Sequence, residues 1–270
     1  MMRPLSDMPE EAAAQVRLVL TDIDDTLTAE GRLPANAYRA VEDLAAAGFL
    51  VAPVTGRPAG WCDMIARFWP VAGVVGENGA LYFSYEPGPR KMRRIYAASA
   101  AERAVNRERL KAIEARILAQ VPGSAVSADQ AYREADLAID FCEDVPPLEA
   151  AAVDRIKAIF EEAGAVAKIS SIHVNGWFGA YDKLSMTRRF AQEVAGIDID
   201  QQNDSVVFVG DSPNDAPMFG FFRNACGVAG VAAFAGRLEA EPTYLTKGGG
   251  GDGFVEVAQR LLSAKKRSQT

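Results

Sequence analysis

The sequence has few of the residues that usually build zinc sites and disulfide frameworks. Its 270 residues include one histidine, His173, and three widely separated cysteines, Cys62, Cys142 and Cys226. Because no two cysteines form a CxxC pair, we expect free thiols rather than a disulfide framework or a zinc site. A single histidine also excludes a two-metal centre that depends on several histidine ligands.

Positive charge and long apolar runs are scarce as well. The 29 lysines and arginines are outnumbered by 36 acidic residues, which gives a formal net charge of -7. An acidic chain gains little from counterion release on nucleic acid, so nucleic acid is not expected as a partner. No run approaches the roughly 20 apolar residues that span a bilayer, and residues 1–15 lack the apolar segment of a signal peptide. We therefore predict a cytoplasmic protein without a membrane partner, and the sequence indicates no particular oligomeric state.

Two different rhythms of apolar residues divide the chain. In its first and last parts, short apolar runs at 17–21, 49–54, 71–75 and 205–210 alternate with helical patterns. Such strands predict a parallel sheet covered on both faces. The middle part instead has strand-like segments at 93–98, 136–142 and 165–174 around two helical segments. We predict an α/β fold: a doubly wound parallel-sheet core of residues 1–84 and 180–270, with a small α+β cap inserted at 85–179.

Polar residues follow the predicted strands or begin the predicted helices at four places. They are the segment DIDDT at 22–26, the segment VTGR at 54–57, Lys183 and the segment GDSPND at 210–215. Ligand sites of open parallel sheets form at the carboxyl ends of the strands. A single acidic cluster after a strand is more often a solvated turn or a helix N-cap. The four segments together, in this order, are a specific signal for such a site.

In this order, the four segments resemble the four motifs of the haloacid dehalogenase superfamily. An insert between the second and third motifs resembles the C2-capped branch, as do GENGA at 76–80 and GGGGDGF at 248–254. The nearest comparison is the subgroup with sugar-phosphate phosphatases, mannosyl-3-phosphoglycerate phosphatases and phosphomannomutases. The cap is similar to the C2 type only in its length and its strand–helix pattern. The resemblance implies a phosphatase acting on a small phosphorylated metabolite, a sugar phosphate.

The resemblance also implies a role for each motif residue. Asp22 would attack phosphorus and form an aspartyl-phosphate, and Asp24 would act as general acid and then general base. Thr55 would hydrogen-bond the phosphoryl group, and Lys183 would neutralise its charge. The family's Mg²⁺ site would comprise Asp22, the backbone carbonyl of Asp24, Asp211 and Asp215, the last as a ligand or a support.

The chemistry of these residues independently favours a metal ion. Four aspartates that converge on one site would repel one another and a phosphate dianion unless a cation joined them. Oxygen ligands with room for water and phosphate suit Mg²⁺ better than Zn²⁺.

The residues that would select the substrate are less clearly marked. On the core side we expect Thr55, Gly56, Arg57, Asn78 and Asn214 to bind substrate, with Arg57 meeting an anionic group. On the cap side the candidates are His173, Asn175 and Trp177. The alternative is structural: Asn78 could only shape a turn, His173 could be an ordinary strand residue, and aromatic residues at a domain junction often pack the hinge.

Two other functions remain open from the sequence. A mutase or phosphotransferase would use the same aspartyl-phosphate and pass the phosphoryl group to a second hydroxyl instead of water. A non-catalytic sugar-phosphate sensor is less favoured because no motif residue is missing.

Overall fold

The computed structural model describes residues 2–236 and 238–268, which form thirteen β-strands and eight α-helices. The strands are β1 (Arg3–Pro4), β2 (Leu18–Thr21), β3 (Leu50–Pro53), β4 (Val74–Gly76), β5 (Leu81–Glu86), β6 (Lys91–Tyr96), β7 (Ala125–Val126), β8 (Leu137–Asp140), β9 (Val166–Ile169), β10 (His173–Trp177), β11 (Val206–Gly210), β12 (Asn224–Gly227) and β13 (Tyr244–Leu245). The helices are α1 (Glu10–Gln15), α2 (Ala35–Ala46), α3 (Ala59–Phe68), α4 (Ala100–Gln120), α5 (Ala150–Glu162), α6 (Lys183–Phe190), α7 (Ala216–Phe221) and α8 (Gly250–Ser268).

The central sheet has six parallel strands in the order β1-β13-β12-β11-β2-β3. Successive residues of a strand point to opposite faces, so a sheet covered on both sides needs apolar residues throughout. Val19 packs with α1, α2, α3 and α8, whereas Leu18 and Leu20 pack with α6 and α7 on the other face. The predicted α/β fold with a doubly wound parallel sheet is confirmed.

A second, three-stranded antiparallel sheet is formed by β4, β5 and β6. One parallel bridge between Val54 and Val75 joins it to the end of β3. The strand β6, which lies within the predicted insert, therefore pairs with β5 beside the core. The division of the chain at residues 84 and 180 stays a prediction.

The remaining strands form an antiparallel sheet in the order β7-β8-β10-β9, which we call the cap sheet. Its apolar face packs against α4 and α5. In β10, Val174 belongs to that packed face, and a Cβ on Gly176 would lie 2.1 Å from the ring of Phe160. By alternation, His173 and Asn175 project from the opposite face, toward the core.

The prediction of one strand over 165–174 is wrong, because the segment contains a hairpin turn. Ser170 donates its N–H to the carbonyl of His173 over 2.8 Å, and its hydroxyl accepts the N–H of His173 over 3.0 Å. Serine side chains commonly close such local turns. The turn separates β9 from β10 and places residues 170–172 at the edge of the cap sheet that faces Asp22 and Asp24.

Among residues 2–236 and 238–268, no helix is both long enough and apolar enough to cross a membrane.

Candidate active site

Three aspartates converge at the carboxyl edge of the central sheet. Asp22 follows β2 and Asp211 follows β11, and these strands are neighbours, so the residues after them lie side by side. The N–H of Asp22 donates to the carbonyl of Val209 over 2.9 Å. Carboxylate oxygens of Asp22, Asp211 and Asp215 all lie within 4.8 Å of one another, and all three residues are buried. The sheet order thus unites the first and fourth motifs.

Lys183 supplies a cation at this cluster. It is the first residue of α6, whose N-cap Asp182 accepts the N–H of Ser185 over 2.7 Å. The ammonium donates to Asp22 Oδ2 and to Asp215 Oδ1, each over 2.7 Å, and only 2% of the side chain is exposed. The helix start therefore fixes the lysine between the first and fourth motifs.

Gly79 sets how closely the loop after β4 approaches the start of α6. Its φ is +101°, and a Cβ there would lie 1.9 Å from the carbonyl oxygen of Asp182. We expect Gly79→Ala to lower the free energy of unfolding by about 3 kcal/mol or more, because the clash involves backbone and adds to the strained φ. Urea unfolding measures this change.

The matched control is Gly164→Ala. Its φ is +74°, but no atom lies within 4 Å of the added methyl, so only the backbone strain of about 1–2 kcal/mol is expected. Equal losses in the two variants would show that the contact with Asp182 has no energetic weight.

Asp215 is held by the backbone of its own motif. Its Oδ2 accepts the N–H groups of Asp211 and Ser212 over 3.1 and 3.4 Å. A Cβ on Gly210 would lie 2.4 Å from the same oxygen, so glycine permits this fold of the loop. Asp211 in turn accepts the hydroxyl of Thr26 over 2.9 Å. These contacts fix the carboxylates of Asp211 and Asp215 beside that of Asp22.

The cluster carries more negative charge than its lysine balances. Burial raises the pKa of Asp22 to about 7 against the opposing effect of Lys183, and burial together with neighbouring carboxylates raises the pKa of Asp211 well above its usual value. Burial alone would lower the pKa of Lys183, but Asp215 and Asp22 outweigh it and raise that pKa. Because three carboxylates share a single ammonium, their oxygens can also serve as ligands for a divalent cation.

Asp24 lies apart from this cluster and is bound by Arg57. Arg57 Nε lies 3.0 and 2.9 Å from the two carboxylate oxygens of Asp24, and Nη2 lies 2.8 Å from Oδ1. The guanidinium stacks on Trp61 with its carbon 4.4 Å from the ring centre, and it also pairs with Asp129 and Glu143. The partners of Arg57 in this structure are therefore carboxylates. The predicted role of the Asp24 carbonyl as a metal ligand stays a prediction.

The loop of the second motif is joined to the turn after β4. Thr55 Oγ1 accepts the N–H of Arg57 over 3.0 Å, and the Thr55 carbonyl accepts the N–H of Asn78 over 3.1 Å. Asn78 has a φ of 52°, so it does shape the turn, and its amide packs against Gly56. Within the described chain neither polar atom of that amide has a hydrogen-bond partner. Its role in binding substrate stays a prediction.

The candidate residues of the cap are buried and have partners. His173 Nε2 lies 2.9 Å from Glu143 Oε2, although the contact lacks the in-line geometry of a hydrogen bond. Asn175 donates its amide to Asp136 Oδ2 over 2.9 Å. Trp177 stacks on Tyr181 at the return to the core, as hinge packing would require.

Most of the expected substrate residues line one small cavity of about 10 Å³. Its walls include both Asp22 and Asp24, and the expected substrate residues in its lining are Gly56, Arg57, His173, Asn175 and Asn214. A larger cavity of about 990 Å³ lies between α3 and α4 and contains no residue of the four motifs. The small cavity adjoins Asp22 and Asp24, and another cavity, of about 440 Å³, is lined by residues that include Asn78, Lys183 and Asn214. The roles of these residues stay predictions.

Sequence reasoning missed a buried acid that links the core to the cap. Glu77, within the segment GENGA and given no role of its own there, accepts N–H groups from Ala59, Glu134 and Ala135 over 2.9, 2.8 and 2.7 Å. It also missed Glu143, which contacts Arg57 across the same boundary. The one available signal was position, because each acid closely follows a strand, β4 or β8.

Comparisons with known proteins agree with this fold. Neither the protein-family models nor the curated proteins gave a match to the sequence. Among solved structures, the C-terminal domain of trehalose-6-phosphate phosphatase from C. albicans has a TM-score of 0.69 at 13% identity, covering 97% of this chain and 98% of that one. Sucrose-phosphatase from Synechocystis, in complex with sucrose and phosphate, has a TM-score of 0.60 at 16% identity, covering 92% and 98%.

A third structure is a haloacid dehalogenase-like hydrolase from Bacteroides thetaiotaomicron, with a TM-score of 0.60 at 13% identity, covering 91% of this chain and 99% of that one. The three structures match nearly their whole length, so the likeness includes both the core and the insert. The chain has the fold of haloacid dehalogenase-like hydrolases, which agrees with the resemblance of its four motifs.

Proposed function

We propose that this protein is a Mg²⁺-dependent phosphomonoester hydrolase of the haloacid dehalogenase type, located in the cytoplasm. Its substrate is a small phosphorylated metabolite, a sugar phosphate. The observation that carries the proposal is the position of Lys183, whose ammonium contacts both Asp22 and Asp215 beside Asp211. Together with a divalent cation, buried carboxylates and one ammonium at the carboxyl edge of a parallel sheet would form a site for a phosphoryl group.

The metal would be held by Asp22, Asp211 and Asp215, with the carbonyl of Asp24. The fit rests on three buried oxygen donors within 4.8 Å and on the negative charge that Lys183 leaves unbalanced. When bound, Mg²⁺ neutralises charge on the phosphoryl oxygens and brings the anionic substrate next to the anionic nucleophile.

The residues of the chain then divide the reaction between them. Asp22, oriented by the N–H of Ile23 and by Lys183, attacks phosphorus and forms an aspartyl-phosphate. Asp24 protonates the leaving oxygen and afterwards removes a proton from the attacking water. Thr55 and Lys183 hold the oxygens of the transferring group. In this structure Asp24 is paired with Arg57, so that pair must loosen before Asp24 meets the substrate.

The experiment that tests the proposal is phosphate release from a panel of phosphomonoesters with Mg²⁺ present. We expect release from p-nitrophenyl phosphate and faster turnover of at least one sugar phosphate. Conversion of one sugar phosphate into an isomer without release would indicate the mutase. Binding of sugar phosphates without any chemical change would indicate the sensor.

A further inference from the structure

Carboxylates of the cap meet an arginine of the core above Asp24. Arg57 Nη2 lies 2.7 Å from Glu143 Oε1, and Nη1 lies 3.4 Å from Asp129 Oδ2. The same guanidinium holds both oxygens of Asp24. One positive charge therefore contacts three negative charges, and of these groups Arg57 and Asp24 line the small cavity.

The charged residues around these groups do not reverse their net negative charge. Arg133, whose side chain is fully buried, pairs with Asp129 over 2.9 Å and with Asp136 over 3.0 Å. With this layer included, two arginines face four carboxylates. Lys168, the lysine of β9, lies at the neighbouring cavity, 3.9 Å from Glu239. The cap thus places negative charge in contact with Arg57, which lines the space next to Asp24.

The fold holds Glu143 in place. The carboxylate of Asp140, at the end of β8, accepts the N–H groups of Cys142, Glu143 and Asp144 over 2.9, 2.8 and 2.8 Å. This turn points the Glu143 side chain at Arg57 and His173. Contact with His173, and then with Arg57, lowers the pKa of Glu143 to about 2, so it is ionised at neutral pH.

A substrate next to Asp24 meets Arg57 and His173, the two residues of the cavity lining that Glu143 contacts. The cavity of about 10 Å³ has room for about one water molecule, so a sugar fits in it only after its walls move apart. The leaving group then lies between Asp24 on the core and His173 on the cap, close to the charge of Glu143. Its charge, rather than its shape alone, decides how well it is tolerated there.

We propose that Glu143 is a specificity-determining residue that favours sugar phosphates with an uncharged or cationic leaving group and rejects sugar acids. Hydroxyl and ammonium groups donate hydrogen bonds to a carboxylate, whereas a second carboxylate is repelled by it. The inference rests on the proposed phosphatase function, and it names the substrate class of that same site.

The first test compares three substrates that share a ring and a phosphate position but differ in charge. One such set is glucose 1-phosphate, glucosamine 1-phosphate and glucuronic acid 1-phosphate. The phosphate position used for the set is the one at which the wild-type protein hydrolyses sugar phosphates fastest. We expect kcat/KM for the uronic acid to be at least about tenfold lower than for the other two. Equal values for the three esters, or a preference for the acid, would overturn the inference.

The second test removes the charge of Glu143. Glu143→Gln keeps the side-chain shape, and we expect it to narrow the gap between neutral and acidic substrates by roughly three- to tenfold. The control, Glu161→Gln, removes the same charge from the exposed surface of α5 and should keep the wild-type ratio. Because the readout is a ratio within one protein, a partial loss of folded protein cancels.

The same assay separates the proposed phosphatase function from the proposed role of Glu143. Hydrolysis of p-nitrophenyl phosphate by the wild-type protein reports the proposed function and does not depend on sugar charge. If the wild-type protein hydrolyses p-nitrophenyl phosphate but Glu143→Gln leaves the ratio between neutral and acidic substrates unchanged, only the role of Glu143 is contradicted. Failure to hydrolyse any ester would refute the phosphatase and this inference together.

Discussion

Replacing Asp22 by asparagine is expected to abolish phosphate release, with at least about a thousandfold loss of kcat. An amide is a poor nucleophile, and the substitution also removes a charged partner of Lys183, which contacts Asp22 Oδ2 over 2.7 Å. Steady-state release from p-nitrophenyl phosphate measures the loss. Since the side chain is buried and nearly the same size, circular dichroism should show a folded variant.

Asp24→Asn is the informative companion, because Asp24 is assigned to proton transfer rather than to bond formation. With p-nitrophenyl phosphate, whose leaving group needs little protonation, the variant should still form the aspartyl-phosphate and then hydrolyse it slowly. A burst of nitrophenol followed by a slow phase is the expected trace. Complete loss of both phases in Asp24→Asn would argue against this division of roles between the two aspartates.

Removing Mg²⁺ is expected to have an effect of similar size. Excess EDTA should reduce turnover to the background rate, since three buried carboxylates with one ammonium otherwise oppose the approach of a phosphate dianion. Adding back Mg²⁺ should restore the rate, which distinguishes loss of the metal from loss of the fold. Full turnover of a phosphomonoester in excess chelator would refute the proposed mechanism.

Ca²⁺ provides a control for this experiment. It is larger than Mg²⁺ and accepts more oxygen ligands in a looser arrangement. Both oxygens of Asp22 can then become ligands, which leaves no free oxygen for attack, so Ca²⁺ should inhibit in the presence of Mg²⁺. A rate in Ca²⁺ alone equal to that in Mg²⁺ would contradict the binding of both oxygens of Asp22 by Ca²⁺.

The fold and the aspartate cluster were accessible from sequence because both depend on local order. Apolar runs mark the strands, and parallel strands end at the same edge of a sheet, so the residues after β2 and β11 had to meet. Lys183 was accessible for a similar reason: it begins a helix that packs on that sheet. The structure brings together Asp22, Asp211, Asp215 and Lys183 as that reasoning required.

What the sequence did not reveal depends on how distant parts of the chain dock. Arg57 follows a strand, as motif residues do, but its contacts with Asp129 and Glu143 exist only because the cap sheet lies over the core. The break between β9 and β10 was missed for a smaller reason. Ser170 closes a turn inside a segment whose overall pattern is that of one strand.

The buried contact of Glu77 has a consequence for treating the insert as an exchangeable module. Its carboxyl group accepts one N–H from the start of α3 and two from the segment before β8, so core and insert share one buried hydrogen-bond acceptor. A chimera that received a foreign insert without equivalent donors would leave that acceptor partly unsatisfied, at a cost of about 1–3 kcal/mol for each missing hydrogen bond. The segment that a foreign insert would have to reproduce is therefore 134–136, which precedes β8 and lies far in sequence from either junction with the core.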